Sequence, residues 1–314
     1  YSKTVTDATT GEAFAEVGED DPTWGGAPIT FPRIQGADVC GEIVAVGENI
    51  DPSRIGERVI TDGWLRDADD PDDMNKTGYF GSERDGGFAQ YTTTPSRNAL
   101  RVQSDLSDVE LATFSCSYST AEGMLMRAQV RANDTVLVPG ASGGVGGALV
   151  QLAKRRGARV IAMASEAKHK DVAELGPDMI LPRAPDDLRT ALGNEKITVV
   201  ADVVGGPYWP RLIDVLERGG RYTCSGAIAG PMVGLDLRTF YLRDLTFTGS
   251  TVITPEVMPR LIRWINCAKP RRHSSPRNTP ATSWWRHENH SGFGLPNRPA
   301  ADAPLLAVGW AAQV

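Results

Sequence analysis

The run Val136-Leu137-Val138-Pro139-Gly140-Ala141-Ser142-Gly143-Gly144-Val145-Gly146-Gly147 constrains this chain more than any other feature. A short apolar segment leads into a glycine-rich turn, a helical pattern continues to Arg156, and a second apolar segment, Arg159 to Met163, follows. Strand, turn, helix, strand is a βαβ unit, and its two strands are parallel because the helix returns the chain to the end of the sheet where the first strand began. Ala141, Gly143 and Gly146 occupy the three positions of G-x-G-x-x-G, with alanine at the first. A middle glycine lets backbone approach a phosphate, a third lets the helix pack on the strand, and the helix N-terminus offers unpaired N–H groups and positive dipole. Ala141, Ser142, Gly143, Gly144, Val145 and Gly146 are therefore the candidate cradle of a dinucleotide pyrophosphate. The alternative is a plain structural turn. Its placement between strand and helix favours the cradle.

The surrounding pattern extends the unit. Ile197 to Ala201 and Gly220 to Cys224 read as further strands with helical patterns between them, which predicts a parallel sheet covered on both faces. Thr120 to Gln129 reads as a helix before the sheet, Val257 to Trp264 as its last helix, and Leu235-Asp236-Leu237 and Leu245 to Gly249 as late strands. The earlier chain has a different grammar. Ile29 to Ile34, Gly41 to Gly47, Gly56 to Ile60 and Phe88 to Thr92 are short β-branched runs punctuated by glycine, as in a small antiparallel barrel, and residues 62–86 form an acidic excursion from it. A chain of 314 residues is long enough for two cores. The expected division is 1–116 for the barrel, 117–266 for the dinucleotide-binding domain and 267–314 for an irregular tail.

The end of the second strand bears on cofactor choice. A carboxylate about 20 residues past the glycine motif would hold the ribose 2′-hydroxyl of NAD. Here stand Ala164 and Ser165, followed by Glu166, Lys168 and Lys170. Ser165 with Lys168 behind it suits a 2′-phosphate, so NADPH is expected in preference to NADH. The competing reading has Glu166 on the ribose and the lysines merely solvated. Ser225 and Gly226 follow the strand ending at Cys224 and are expected to line the nicotinamide crevice, since ligands bind beyond the carboxyl ends of parallel strands. Asp202 either holds that crevice or caps a turn.

A formal charge of −6 provides no basic field for nucleic acid or an anionic membrane, and no stretch reaches the roughly 20 apolar residues of a bilayer span. The expected setting is the cytoplasm and the expected partner a small-molecule substrate. Cys40, Cys116, Cys224 and Cys267 lie far apart without C-x-x-C spacing, which argues against a disulfide framework or a zinc ribbon.

Gly36-Ala37-Asp38-Val39-Cys40-Gly41-Glu42-Ile43-Val44-Ala45-Val46-Gly47, with Gly56-Glu57-Arg58-Val59, resembles the glycine-acid signature of medium-chain dehydrogenases and reductases. Gly140 to Gly146 and Asp202-Val203-Val204-Gly205-Gly206 add to the likeness. The resemblance implies an α/β protein with a GroES-like β-barrel domain, a Rossmann doubly wound parallel-sheet domain and hydride transfer in the cleft between them. Zinc-dependent relatives carry a histidine ligand where this chain has Ala37, and their structural zinc needs cysteines that residues 59–86 lack. Cys116 resembles the place of another catalytic ligand but reads as a small buried hydrophobe, because a lone thiolate does not complete a three-ligand site.

The resemblance thus points to a zinc-free, quinone oxidoreductase-like enzyme that transfers hydride from NADPH to a quinone or an α,β-unsaturated carbonyl compound. Tyr1 falls where relatives carry an active-site tyrosine, and Thr120 falls near the nicotinamide. A threonine at a helix start is equally a capping residue. The alternatives are a zinc-type alcohol dehydrogenase and a cofactor-binding but catalytically inactive remnant. Relatives also pair two sheets through the late strands, which implies a homodimer through the Rossmann sheet edge.

Against the family pattern the chain reads as truncated before Tyr1. After Cys267 it mixes six prolines with Trp284, Trp285 and three of the four histidines, and six basic residues face only Glu288 and Asp302. No period survives there for long, and the expectation is a reading-frame shift rather than an evolved part of the fold.

Overall fold

The computed structural model describes residues 31–267 and the backbone of three further strands at 4–6, 13–16 and 305–309. β1 (Thr4–Thr6) and β2 (Ala13–Glu16) pair antiparallel as a separate ribbon. β3 (Cys40–Val46), β4 (Arg58–Thr61), β7 (Tyr91–Pro95) and β8 (Ala99–Arg101) belong to one antiparallel sheet, while β5 (Trp64–Leu65) and β6 (Gly78–Tyr79) form a short hairpin in the acidic excursion. Alternation along β3 turns Ile43 inward and Glu42 and Val44 outward, and Ile43 meets Val39, Val59, Phe80 and Ala99 in the barrel core.

Helical chain links the two halves. α1 (Asp108–Ala112) opens with a capping box in which Ser107 and Glu110 satisfy each other's backbone N–H groups. A π-helical turn, Phe114–Tyr118, then runs into α2 (Ser119–Arg127). The second half follows as β9 (Thr135–Val138), α3 (Gly144–Arg155), β10 (Arg159–Ala164), α4 (His169–Ala173), β11 (Met179–Pro182), α5 (Leu188–Leu192), β12 (Ile197–Asp202), α6 (Trp209–Asp214), β13 (Leu216–Cys224), α7 (Leu237–Leu242), β14 (Thr246–Gly249) and α8 (Val257–Cys267). Strand order is β11-β10-β9-β12-β13-β14, parallel throughout. From β9 the chain winds first one way, then the other, so the doubly wound reversal lies between β9 and β12.

β15 (Leu305–Gly309) enters the barrel sheet between β7 and β3, antiparallel to both. This strand is the one described element within 268–314, the stretch expected to be irregular. Leu305 to Val308 is an apolar run between Pro304 and Gly309, too short for a helix but long enough for a strand. Trp284, Trp285 and Trp310 lie outside the described residues, as do the other questions raised by 268–304.

Two further expectations are corrected. Phe31 to Ile34 forms no strand: Pro32 lacks an N–H, and the Ile34 N–H donates to the Asp85 carboxylate at 3.1 Å rather than to a ladder. Leu235 to Leu237 is not a strand either, because Asp236 accepts from the Arg238 N–H at 3.0 Å and so starts α7.

One apolar cluster joins the halves. It runs from Cys40, Ile60, Trp64 and Tyr79 through Phe114, Tyr118 and Met124 to Leu149, Val160 and Leu261. A second cluster, with Leu137, Ile161, Val200 and Trp209, fills the other face of the parallel sheet. Among the described residues, no helix is long and apolar enough to cross a membrane.

Candidate functional site

The glycine-rich turn after β9 is shaped by contacts that a side chain would block. Gly140 has φ +66°, and its carbonyl accepts from the Gly143 N–H at 2.9 Å. A Cβ on Gly146 would stand 2.2 Å from the Gly140 oxygen and 2.9 Å from the Ala141 Cα, so the third glycine is required for α3 to meet the turn. Ala141 is buried, and its N–H donates to the Met163 carbonyl of β10 at 3.0 Å. Gly143 caps α3 without a side-chain hydrogen bond, and no acidic residue stands in the first turn. The first N–H groups of a twelve-residue helix are thus left beside exposed Gly144, with the half-buried Ser142, Gly143 and Val145 around them. The residues present fit a pyrophosphate.

Two loops beyond β12 and β13 form the adjoining crevice. Asp202 is fully buried: its Oδ1 accepts from the Val204 N–H at 2.7 Å, and its Oδ2 accepts from the Gly205 N–H at 3.1 Å and the Tyr222 hydroxyl at 2.9 Å. Burial pushes the Asp202 carboxyl up against those bonds, and the Tyr222 hydroxyl is pushed up by burial and by the Asp202 charge. Of the two readings of Asp202, the structure gives the turn cap. The capped turn interlocks with the β13 loop, Ala229 N–H donating to the Val204 carbonyl at 2.8 Å and Gly206 N–H to Gly230 at 2.9 Å. Ser225 and Gly226 are half-buried on this loop, and a Cβ on Gly226 would come within 3.1 Å of the Val203 oxygen.

At the end of β10, Ala164 is buried and Ser165 exposed. Lys168 reaches Asp171 at 3.1 Å on an exposed face, and His169 Nε2 sits 3.1 Å from the Ala164 carbonyl. A surface pair of this kind is worth about 0.2–1 kcal/mol and yields readily to a stronger anion.

On the barrel side the structure assembles residues far apart in sequence. Asp38, half-buried, accepts from the Cys116 N–H at 2.9 Å across 78 positions. Burial raises the Asp38 carboxyl to about 6, against the opposing effect of that hydrogen bond. The Cys116 thiol is also raised, by burial and then by the Asp38 charge, while side-chain bonds from Tyr79 and Thr120 pull the other way. Thr120 therefore lies in this side-chain cluster, bonded to Cys116 from the first turn of α2. Tyr1 lies outside the described residues. Ser117, in the same π-helical turn, closes the gap to the cradle: a Cβ on Gly144 would stand 2.8 Å from its Oγ.

The family descriptions "Alcohol dehydrogenase GroES-like domain" and "Zinc-binding dehydrogenase" match residues 12–104 and 144–266. Acryloyl-coenzyme A reductase of Metallosphaera sedula is 30% identical over 236 residues, 72% of this chain and 70% of the relative. A solved structure from Sinorhizobium meliloti 1021, described as a candidate alcohol dehydrogenase, is 47% identical with a TM-score of 0.75, covering 80% of this chain and 70% of that one. The chain belongs to the medium-chain dehydrogenase/reductase superfamily. It is an oxidoreductase of that family. Human quinone oxidoreductase is 26% identical over 203 residues, 63% of this chain and 56% of its own length.

A catalytic zinc needs three protein donors around one point. Ala37 offers no ligand, and among the described residues no group of three or more His, Cys, Asp or Glu side chains gathers as a metal requires. These residues do not fit zinc. Sequence reasoning missed Asp38 and Tyr79 as site residues. The signal available for Asp38 was its place in Gly36-Ala37-Asp38, whereas Tyr79 sits on a two-residue strand with no local pattern to mark it.

Proposed function

We propose that this oxidoreductase uses NADPH, in preference to NADH, to reduce a small quinone or conjugated enone without zinc. The observation that carries the reading is the pairing of a turn that fits a pyrophosphate at α3 with a side-chain cluster whose proton-bearing group is Asp38. When bound, the dinucleotide supplies the hydride. The α3 N–H groups hold its pyrophosphate, and the Asp202-capped turn with Ser225 and Gly226 fixes the crevice wall. Ala164 puts no carboxylate against a 2′-phosphate, and Lys168 exchanges Asp171 for it.

Conjugate reduction adds hydride to one carbon and a proton to the anion left behind. Asp38, protonated below about pH 6, holds such a proton at its carboxyl oxygen, and Thr120 and Tyr79 carry hydroxyls that can orient a carbonyl. The name of the M. sedula relative, a reductase of a conjugated thioester, supports the acceptor class.

The test is NADPH consumption with a benzoquinone and with a conjugated enone, before and after dialysis against a zinc chelator. Turnover unchanged by the chelator supports the proposal. Turnover of simple alcohols that the chelator abolishes means a zinc enzyme, and nucleotide binding without turnover of any acceptor means an inactive remnant.

A second copy is the proposed partner. Among the described residues β14 ends the parallel sheet with an unpaired edge, and Leu237, Tyr241 and Leu242 of the preceding helix α7 expose apolar surface. Tyr241→Glu converting a dimer to a monomer in light scattering would support pairing through this edge, and a wild-type monomer would exclude it.

A further inference from the structure

Arginines converge where the far end of α3 meets α8. An open cavity of about 300 Å³ there is lined by Glu122, Arg155, Arg156, Arg260 and Arg263. Arg155 ends α3 and Arg156 caps it, while Arg260 and Arg263, three residues apart on α8, share one helix face. Glu122 reaches in from α2 and is 2% exposed.

Part of this charge has an ordinary role. Cations at a helix C-terminus complement a dipole charge of about −0.5, and Arg156 pairs with Glu122. Its Nη2 donates to Glu122 Oε1 at 2.7 Å, and its Nη1 donates to the Leu152 carbonyl at 3.1 Å. Arg155, in the last turn of α3, shares the dipole role but has no salt bridge among the described residues, and Arg260 and Arg263 on α8 are not explained in this way. Arg155 lies over the Trp264 ring, 5.5 Å from its centroid, which holds the guanidinium in place without neutralising it. Arg260 and Arg263 are exposed and enter no salt bridge among the described residues, although Glu256 feels the charge of Arg260. Burial and the like charges of Arg156, Arg263 and Arg260 hold Arg155 below its ordinary value, against the pull of Glu122. Evolving such a cluster only to hold two helices together would be poor economy, since like charges push α3 and α8 apart.

The geometry points to a second anion site, at the opposite end of α3 from the pyrophosphate cradle, that takes a compact, multiply charged oxyanion of the phosphate class. Planar guanidinium forks bind two oxygens at a time, and several around one cavity suit a tetrahedral oxyanion better than a flat carboxylate. Glu122 sharpens the choice. Its Oε2 is buried without a hydrogen-bond partner on the cavity wall, an acceptor to which the P–OH of a hydrogen phosphate can donate. A twelve-residue helix is about 18 Å long, so one ligand of phosphate size cannot occupy both ends.

The experiment is calorimetric titration of the full chain with inorganic pyrophosphate at low ionic strength, on the wild type and on Arg260→Ala/Arg263→Ala. The cradle is unaltered in both, so their difference reads the arginine cavity. The expected result is two classes of sites in the wild type, of which the double variant weakens one at least tenfold and leaves the other unchanged. Identical isotherms, or equal thermal stabilisation by sodium chloride at matched ionic strength, would overturn the site. A melting comparison without added anion guards against a merely structural role: the double variant should melt at the wild-type temperature or above, because repulsion is relieved. A lower melting temperature would mean that the arginines serve the fold.

Discussion

The two walls of the cleft are built from different materials. The Rossmann wall is almost entirely backbone: Gly140, Gly143 and Gly146 clear space, and the first N–H groups of α3 are the donors proposed to hold the pyrophosphate. The barrel wall is side chains, Asp38, Tyr79, Cys116 and Thr120, brought together from three separate segments. A backbone site depends on the absence of atoms and tolerates nothing added. A side-chain site depends on protonation and survives isosteric change with altered chemistry. Four substitutions break or sharpen this contrast.

The largest effect is expected for Gly146→Val. Its Cβ would meet the Gly140 oxygen at 2.2 Å, backbone that cannot move aside, so nucleotide binding measured by fluorescence should fall more than about 100-fold or the chain should fail to fold by circular dichroism. Near-normal binding would mean that the turn is soft and the wall is not a backbone device. Asp202→Ala comes next, since it strips two N–H caps and the Tyr222 hydroxyl of a buried acceptor. A loss of about 2–4 kcal/mol in denaturant unfolding is expected, with Asp202→Asn losing less.

Asp38→Asn should act on pH dependence rather than on folding. The folded carboxyl titrates near 6 against an ordinary 3.8, so its stabilising contribution is full below pH 3.8 and lost as pH rises through about 6. The neutral variant should therefore match the wild type near pH 4 and exceed it by about 1 kcal/mol at pH 8, after allowance for partial solvent contact. Wild-type reductase rates should fall above pH 6 and those of Asp38→Asn should be low and flat. An unchanged rate profile would remove Asp38 from the chemistry. Lys168→Ala is the smallest: NADPH binding should weaken about tenfold at most and NADH binding should not change, in parallel titrations. Equal loss for both cofactors would assign Lys168 to the surface.

The same contrast decides what could be read in advance. β9, α3 and β10 were legible to within about a residue because glycine spacing and apolar period are local. β11, Met179–Pro182, was missed, since its short run carries no alternation and is recognised only by its pairing with β10. The barrel wall was hardly legible at all. Asp38 and Cys116 are 78 positions apart, and nothing in either segment announces the other. Ser165 and Lys168 were singled out by distance from the glycine motif, whereas the hydrogen bond that the Tyr222 hydroxyl donates to Asp202 comes from twenty residues on and has no local signal. Ile29 to Ile34 misled because β-branched composition outweighed Pro32, whose missing N–H bars an interior strand position.

The cluster that runs unbroken from Cys40 and Ile60 to Leu149 and Leu261 makes topology and thermodynamics disagree about how many units this protein has. Two layouts are folded, yet neither owns the apolar face of α2 and the π-helical turn, because Phe114, Tyr118 and Met124 are buried by both at once. Loosening the barrel would strip cover from the sheet helices, and loosening the sheet would leave Trp64 and Tyr79 without a floor. Heat should therefore find one cooperative unit and not two, with a single calorimetric transition for the described body of the chain. A defect on one side of that shared face should be felt on the other as lost cooperativity.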